Sequence, residues 1–373
     1  MAIELKEVLT HSDCKQFVQI QFDIYKNDKY WVPPLKSDEI KSLQSKDNPA
    51  FEFCEAKFWI AFKNGKTAGR IGAIINRSYN EKTGEPMGRF SRFECLDDLE
   101  VSNALFTKAV DWIKSKGMKG VHGPLGFSNL DTQGLLVEGF DYLPSIASVY
   151  HKPYYQKLIE AYGFKKEIDW LEFRLTIPDS LPEKAMKLND MVKQRYGLKV
   201  IKFKDQKEME PYSKNIFTVL NSAFAELPFV APMTEKMIDF FVKKYFNLLN
   251  PKFVKVVVDK EEHLIGFIIG LPSLSEAMQK AKGSLFPFGF IHILNALKKP
   301  KVVDLLLTGI LPEKQGQGVP AMLIMELQQT MLDYGVKHVE TTGIFENNEK
   351  AISTWKNYEN IQHKRRRCYR LMF

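Results

Sequence analysis

From Val302 to Ile310 the chain is almost unbroken Val, Leu and Ile, which predicts an apolar strand. Over residues 321–334 the apolar period changes. Ile324, Leu327, Met331 and Tyr334 recur at three- and four-residue steps, predicting an amphipathic helix. Gly335 stops it, residues 337–344 read as the next strand, and a short helix opens at Asn348 and runs to about Tyr358. Earlier in the chain, 57–62 and 68–75 flank the turn Asn64-Gly65, and 253–258 and 264–271 flank a polar turn at 259–262, so two hairpins are expected. A strand at 170–175 ends before Pro178 and Pro182, which interrupt regular structure. A bridging helix at 184–195, a strand at 198–203 and helices near 211–224 and 234–246 complete the pattern.

The pattern repeats. Residues 101–121 lie over 319–339 without a gap, at a shift of 319 − 101 = 218, and both copies read helix, glycine stop, basic residue, strand. The late segment 154–164, closing on Gly163-Phe164, stands where the second half has its Asn348 helix. Two similar units in tandem are therefore expected, 1–178 and 179–373. The second carries an insertion at 274–301 where a short turn would suffice.

Chemistry concentrates between the strand at 302–310 and the helix that follows, in Ile310-Leu311-Pro312-Glu313-Lys314-Gln315-Gly316-Gln317-Gly318-Val319-Pro320. Two glycines let backbone approach a ligand, and the first helical turn offers N–H groups without intrahelical partners, which suit an anionic diphosphate. No Gly-Lys-Ser/Thr follows, so this is not a Walker A loop. The dinucleotide fingerprint lacks its third glycine and its downstream acid. Pro320 at the start of the helix loses no intrahelical bond but removes one possible phosphate donor.

The string Ile310-x-Pro312-x-x-Gln315-x-x-Gly318 resembles the pyrophosphate loop of the GNAT superfamily of acyl-CoA-dependent N-acyltransferases, and Asn348-x-x-Ala351 is similar to a second family feature. The resemblance implies an α/β (α+β) mixed sheet in two tandem GNAT-like domains, each mostly antiparallel, curved and flanked by helices. It implies acetyl-CoA or another acyl-CoA as co-substrate and no metal. Thr308, Gly309 and Ile310 would hold the pantetheine, Gln315, Gly316, Gln317, Gly318 and Val319 the pyrophosphate, and Asn348 would belong to the same site. The family's tyrosine acid stands four residues after the alanine, which here is Trp355, leaving Tyr358 as the nearest phenol. The family's base position corresponds to Leu306. Asp304, one pleat earlier on the same face, and Glu340 on the next strand are the candidate proton acceptors, with Glu346 beyond them. In the first half, Asp97, Asp98, Leu99 and Glu100 stand where the second has Gln315, Gly316, Gln317 and Gly318. Their carboxylates would repel phosphate, so the first copy is expected to be degenerate.

Composition adds limits. The 373 residues are 45% hydrophobic and carry a net charge of +8, which permits an anionic partner. Cys14, Cys54, Cys95 and Cys368 are scattered, arguing against a zinc site or disulfide framework and suiting a reducing cytoplasm. Residues 1–6 do not read as a signal peptide, and no apolar run approaches the length of a membrane span. The closing cations Lys364, Arg365, Arg366, Arg367 and Arg370 read as a terminal strand with solvated arginines, so nucleic acid is not the expected partner. The aromatic insertion is expected to be a seam between halves or a lid, in preference to a membrane-surface helix. The expected activity is acyl transfer to a small-molecule or peptide amine. Acyl-CoA binding without turnover and a Fem-like, aminoacyl-tRNA-dependent transferase are the alternatives.

Overall fold

A computed structural model describes residues 3–373. The first half runs β1 (Ile3–Glu7), α1 (His11–Ile24), α2 (Lys36–Ser42), β2 (Cys54–Lys63), β3 (Lys66–Asn76), α3 (Arg77–Thr83), β4 (Met87–Cys95), α4 (Leu99–Ser115), β5 (Gly120–Gly123), β6 (Leu135–Glu138), α5 (Tyr155–Ala161) and β7 (Lys165–Thr176). The second runs α6 (Glu183–Tyr196), β8 (Lys199–Lys202), α7 (Gln206–Met209), α8 (Ser213–Ala223), α9 (Glu235–Tyr245), β9 (Val254–Val258), β10 (Leu264–Pro272), α10 (Ser275–Ala281) and α11 (Gly289–Lys298). It closes with β11 (Val302–Ile310), α12 (Val319–Asp333), β12 (His338–Thr341), β13 (Ile344–Phe345), α13 (Glu349–Ser353) and β14 (Asn360–Met372). The expected mixed sheet with flanking helices is present. β11 has the predicted bounds, the strand expected at 337–344 divides into β12 and β13, and the last helix is shorter than its pattern suggested.

Among the described residues fourteen strands form one sheet, whose path is β1-β2-β3-β4-β5-β14-β7-β12-β11-β10-β9-β8, with β6 on β14 and β13 on β7. Pairing is antiparallel except at β4–β5 and β11–β12, one parallel contact in each half. At the middle the halves exchange strands. β7, last of the first half, pairs β12, while β14, last in the chain, pairs β5 of the first half and lies against β7.

This exchange explains the basic C-terminus and corrects its expected solvation. Lys364 and Arg366 are buried, 1% and 4% exposed. A buried charge needs a partner, and β7 supplies acids in register. Arg366 Nε donates to Glu172 Oε1 at 2.6 Å, and Arg367 donates to both oxygens of Asp169 at 2.8 and 3.1 Å. Arg365 also reaches Asp169, at 3.1 Å. These cations are committed to the sheet.

One apolar core crosses the seam, joining Phe17, Phe58, Ile60 and Phe127 to Ile216, Phe241, Val256 and Phe267. α4 and α12 each cover a separate core on the other face. The 226–232 connection packs inward: Phe229 is 3% exposed and lies against Trp170 and Phe345, its carbonyl accepting from Arg89 at 3.0 Å. All four cysteines are buried and unpaired. Among the described residues, no helix is long and apolar enough to cross a membrane.

Candidate active site

β11 and β12 are hydrogen-bonded in parallel only from Val302 to Leu305. Leu306 is the extra residue of a β-bulge: Gly270 pairs Leu305 but Ile269 pairs Leu307. A bulge bends its strand and breaks its ladder. Beyond it β11 stays on β10 but leaves β12, opening a fork whose base is closed by Thr342, which donates from N to Leu305 O at 3.3 Å and from Oγ1 to Leu306 O at 3.2 Å. Thr308, Gly309 and Ile310 lie on the free limb, with Thr308 exposed.

The limb leads into the glycine loop. Leu311 N donates to Ile265 O at 2.9 Å, Pro312 opens a single tight turn, and Gln315 is extended. Gly316 and Gly318 then adopt φ of 81° and 80°, a left-handed conformation that favours glycine. Gly318 is the N-cap of α12, and no side chain caps this terminus among the described residues. Gln315 and Gly316 are exposed, Gln317 and Gly318 half-buried, and Val319 fully buried as the anchor of the first turn. A Cβ on Gly318 would stand 3.1 Å from Val192 of α6, whereas one on Gly316 would meet open space.

The corresponding terminus in the first half is already occupied. Asp98 is the N-cap of α4, its Oδ1 accepting from Glu100 N at 3.1 Å and Val101 N at 3.2 Å, and Lys63 bridges Asp98 and Glu100. With its donors satisfied by a carboxylate, α4 offers no anion site, which matches the expected asymmetry.

Asp304 and Glu340 are neighbours in the β11–β12 register, on the face opposite α12. Asp304 is fully buried and neither of its oxygens has a hydrogen-bond partner of good geometry among the described residues. Burial and the nearby Glu340 carboxylate push its pKa well above the usual carboxylate range, against the weaker opposing pull of the Ser273 hydroxyl. Glu340 shifts the other way despite its burial, because His363, Lys364 and Arg174 surround it. Arg174 Nη2 is 2.8 Å from Glu340 Oε1, His363 Nε2 is 3.5 Å from Oε2, and Lys364 Nζ is 3.8 Å from Oε2. His363 Nδ1–H donates to Glu172 O at 3.1 Å, which turns Nε2 toward Glu340.

Asp304→Asn tests the buried proton. A carboxyl whose folded pKa is raised contributes stability that is complete below the ordinary carboxylate range and is lost as pH rises through the raised value. The stability gap between wild type and Asp304→Asn should therefore shift in favour of the variant as pH rises from the ordinary carboxylate range, read from urea midpoints across a pH series. A constant gap would mean that Asp304 titrates normally.

The remaining candidates are separated from this cluster. Tyr358, half-buried, donates to Gln328 Oε1 at 3.0 Å on the α12 side, where it lines a narrow apolar slot with Leu305, Leu327, Val339 and Trp355. The Trp355 indole N–H in this slot has no partner among the described residues. Asn348 caps α13, accepting from Ala351 N at 3.1 Å. Glu346 is held by Lys166 and the Asp169 N–H. In the β9–β10 turn, ligand atoms of Asp259, Glu261 and His263 lie within 4.8 Å of one another, but Asp259 Oδ1 accepts the Glu261 and His263 N–H groups, which ties the cluster to turn formation.

Sequence reasoning missed His363, Lys364, Arg174 and Glu172, which meet only because β7 and β14 lie side by side. A signal was present: acids at Asp169 and Glu172 complement the cations of the closing run. The pattern did not say which strand that run would join.

The fork, the uncapped α12 terminus and the duplicated order of elements define a tandem GNAT-like fold. Solved structures agree. A tandem GNAT protein from the clavulanic acid biosynthesis pathway matches with a TM-score of 0.57 at 12% identity, over 99% of this chain and 98% of that one. A GCN5-related N-acetyltransferase from Sphaerobacter thermophilus matches with a TM-score of 0.52 at 12% identity, over 99% and 95%. In sequence, the chain is 29% identical over 372 residues to Protein YghO of Escherichia coli (strain K12), covering 98% of this chain and 94% of that protein. It is 26% identical over 373 residues to the bacterial ceramide synthase of Caulobacter vibrioides (strain NA1000 / CB15N), covering 97% and 95%. No family model matches the chain.

Proposed function

We propose that this protein is an acyl-CoA-dependent N-acyltransferase whose reaction runs in the β11–β12 fork of the second half. The observation that carries the reading is the α12 terminus, uncapped and reached through two left-handed glycines, beside the unpaired limb of β11. The pyrophosphate would rest on Gln315 to Val319, with the pantetheine along Thr308 to Ile310 as a false strand. Bound acyl-CoA supplies the thioester. Free backbone N–H groups on the limb would polarise its carbonyl. The acceptor amine nitrogen attacks that carbon, the carbon–sulfur bond breaks, and the thiolate leaves as CoA. Glu340 with His363 would receive the amine proton, and Tyr358 would supply the thiolate's. Asp304, holding its own proton, would stay a neutral neighbour.

The whole-length similarity to a protein named bacterial ceramide synthase supports a narrower version, in which the acceptor is a long-chain amine and the acyl group a fatty acyl chain. Thiol release from acetyl-CoA and from a long-chain acyl-CoA, across polar amines and a sphingoid base, tests both levels. Glu340→Gln should lower kcat by about 10²–10⁴-fold, the range of general-base catalysis, while acyl-CoA affinity holds. An unchanged kcat would remove Glu340 from the mechanism. Trp355, standing where the family resemblance places a tyrosine, favours a second reading, binding without turnover. Acyl-CoA retention with no thiol release for any pair would select it.

A further inference from the structure

The 274–301 insertion divides into two parts with different surroundings. α10 forms part of the seam: Ser275 Oγ donates to Pro144 O at 2.7 Å, and Gln279 Nε2 donates to the carbonyls of Lys29 and Trp31 at 2.9 and 3.0 Å. α11 buries only one side. Its Ile293, Ala296 and Leu297 face the body, while the adjoining flank of the helix and the loop before it expose Phe286 by 79%, Phe288 by 69%, Phe290 by 40%, Ile291 by 43% and Leu294 by 49%. An apolar arc wider than the buried stripe beneath it leaves apolar surface uncovered, and neighbouring exposed aromatics mark a surface that meets something apolar.

Charge identifies the occupant. The insertion carries Lys280, Lys282, Lys298, Lys299 and Lys301, all exposed, against the single acid Glu276. A second copy packed on the same patch about a two-fold axis would set these lysines against their own counterparts. Five side chains on one short helix and loop are also few beside the roughly 20–30 residues a side of a stable interface. An exposed aromatic and aliphatic surface on a segment this rich in lysine suits an anionic lipid surface, with rings in the headgroup boundary and ammonium groups on phosphates. The buried side of α11 also shares its apolar cluster with Leu306, the bulged residue at the base of the fork, so the patch adjoins the proposed site through one packed layer.

We propose that the Phe286–Leu294 segment seats the protein on an anionic phospholipid bilayer. The docking stands on the surface itself. Only its purpose, delivery of a lipid amine to the fork, rests on the acyltransferase reading.

Co-sedimentation of the full chain with vesicles of phosphatidylcholine and phosphatidylglycerol in equal parts, and with phosphatidylcholine alone, tests the proposal. Wild type should pellet with the mixed vesicles, less with the neutral ones, and less as salt rises. The triple variant Phe286→Ser/Phe288→Ser/Ile291→Ser should lose about tenfold or more in partitioning, from the apolar area withdrawn. Lys298→Glu/Lys299→Glu should lose mainly the preference for the anionic vesicles. Wild type remaining in the supernatant with both vesicles overturns the proposal, as does a triple variant that pellets like wild type. A concentration-dependent dimer that forms without vesicles and is abolished by the triple substitution also overturns it, assigning the patch to a second copy. Thiol release with a water-soluble amine, measured in parallel without vesicles, separates the two readings: docking can fail while turnover stands, and the reverse.

Discussion

Gly318→Glu should lower affinity for acyl-CoA about a thousandfold. Three effects add at this position. A side chain at φ 80° meets left-handed strain of roughly 1–2 kcal/mol, expressed as lost stability. Its Cβ would press on Val192 at 3.1 Å, disturbing the contact that holds α6 against the loop. The carboxylate would then take the N–H groups of α12, as Asp98 takes those of α4. At an effective dielectric near 20, two unit charges about 4 Å apart repel by about 4 kcal/mol, and that energy corresponds to about three decades in dissociation constant. Titration calorimetry with acyl-CoA measures it, and near-UV circular dichroism checks that the fold persists. Gly316→Ala is the contrast: its Cβ meets open space, so it should lose little affinity beyond local strain. A folded Gly318→Glu variant with wild-type affinity would place the ligand elsewhere.

A chain ended after Glu359 should not fold. That truncation removes β14, leaving β6 without a ladder partner and one edge each of β5 and β7 unpaired in the middle of the sheet. It also strips Asp169 and Glu172 of their arginines, exposing acids whose burial is tolerable only when paired. Expression of the truncated chain should give aggregate or a protein without a cooperative unfolding transition. Arg366→Met is the graded form of the same test. It leaves Glu172 buried with the Ser148 hydroxyl and the Lys364 charge nearby but without its hydrogen-bonded guanidinium, and should cost about 3–5 kcal/mol in urea unfolding. A stable, cooperative truncated chain would show that the halves do not depend on the exchanged strand.

The uneven legibility of this chain has a physical basis. β11, the helix after it and the two hairpins follow from local periodicity, because each is decided by which side chains face the core beside it. The glycine loop was legible for the same reason: a left-handed turn and an uncapped helix terminus are local demands that few residue types meet. The buried cluster around Glu340 was half legible. Asp304 and Glu340 stood out as acids in apolar strands, but their opposite ionisation depends on which cations come near, and those arrive from β7 and β14. The terminal cations look solvated in sequence because alternation reports two faces of a strand, not what covers each face.

The sequence by itself determined that the chain repeats, that the repeats alternate in the GNAT order, and that one carries glycines where the other carries carboxylates. Those are short-range properties, settled within a turn or a strand. Only the tertiary structure decided that the last strand crosses into the first half, that its arginines are buried against Asp169 and Glu172, and that α10 faces the seam while α11 faces outward. Strand order is a long-range choice. It is made by the complementarity of whole edges and the burial of a shared core, and neither is written in any one segment.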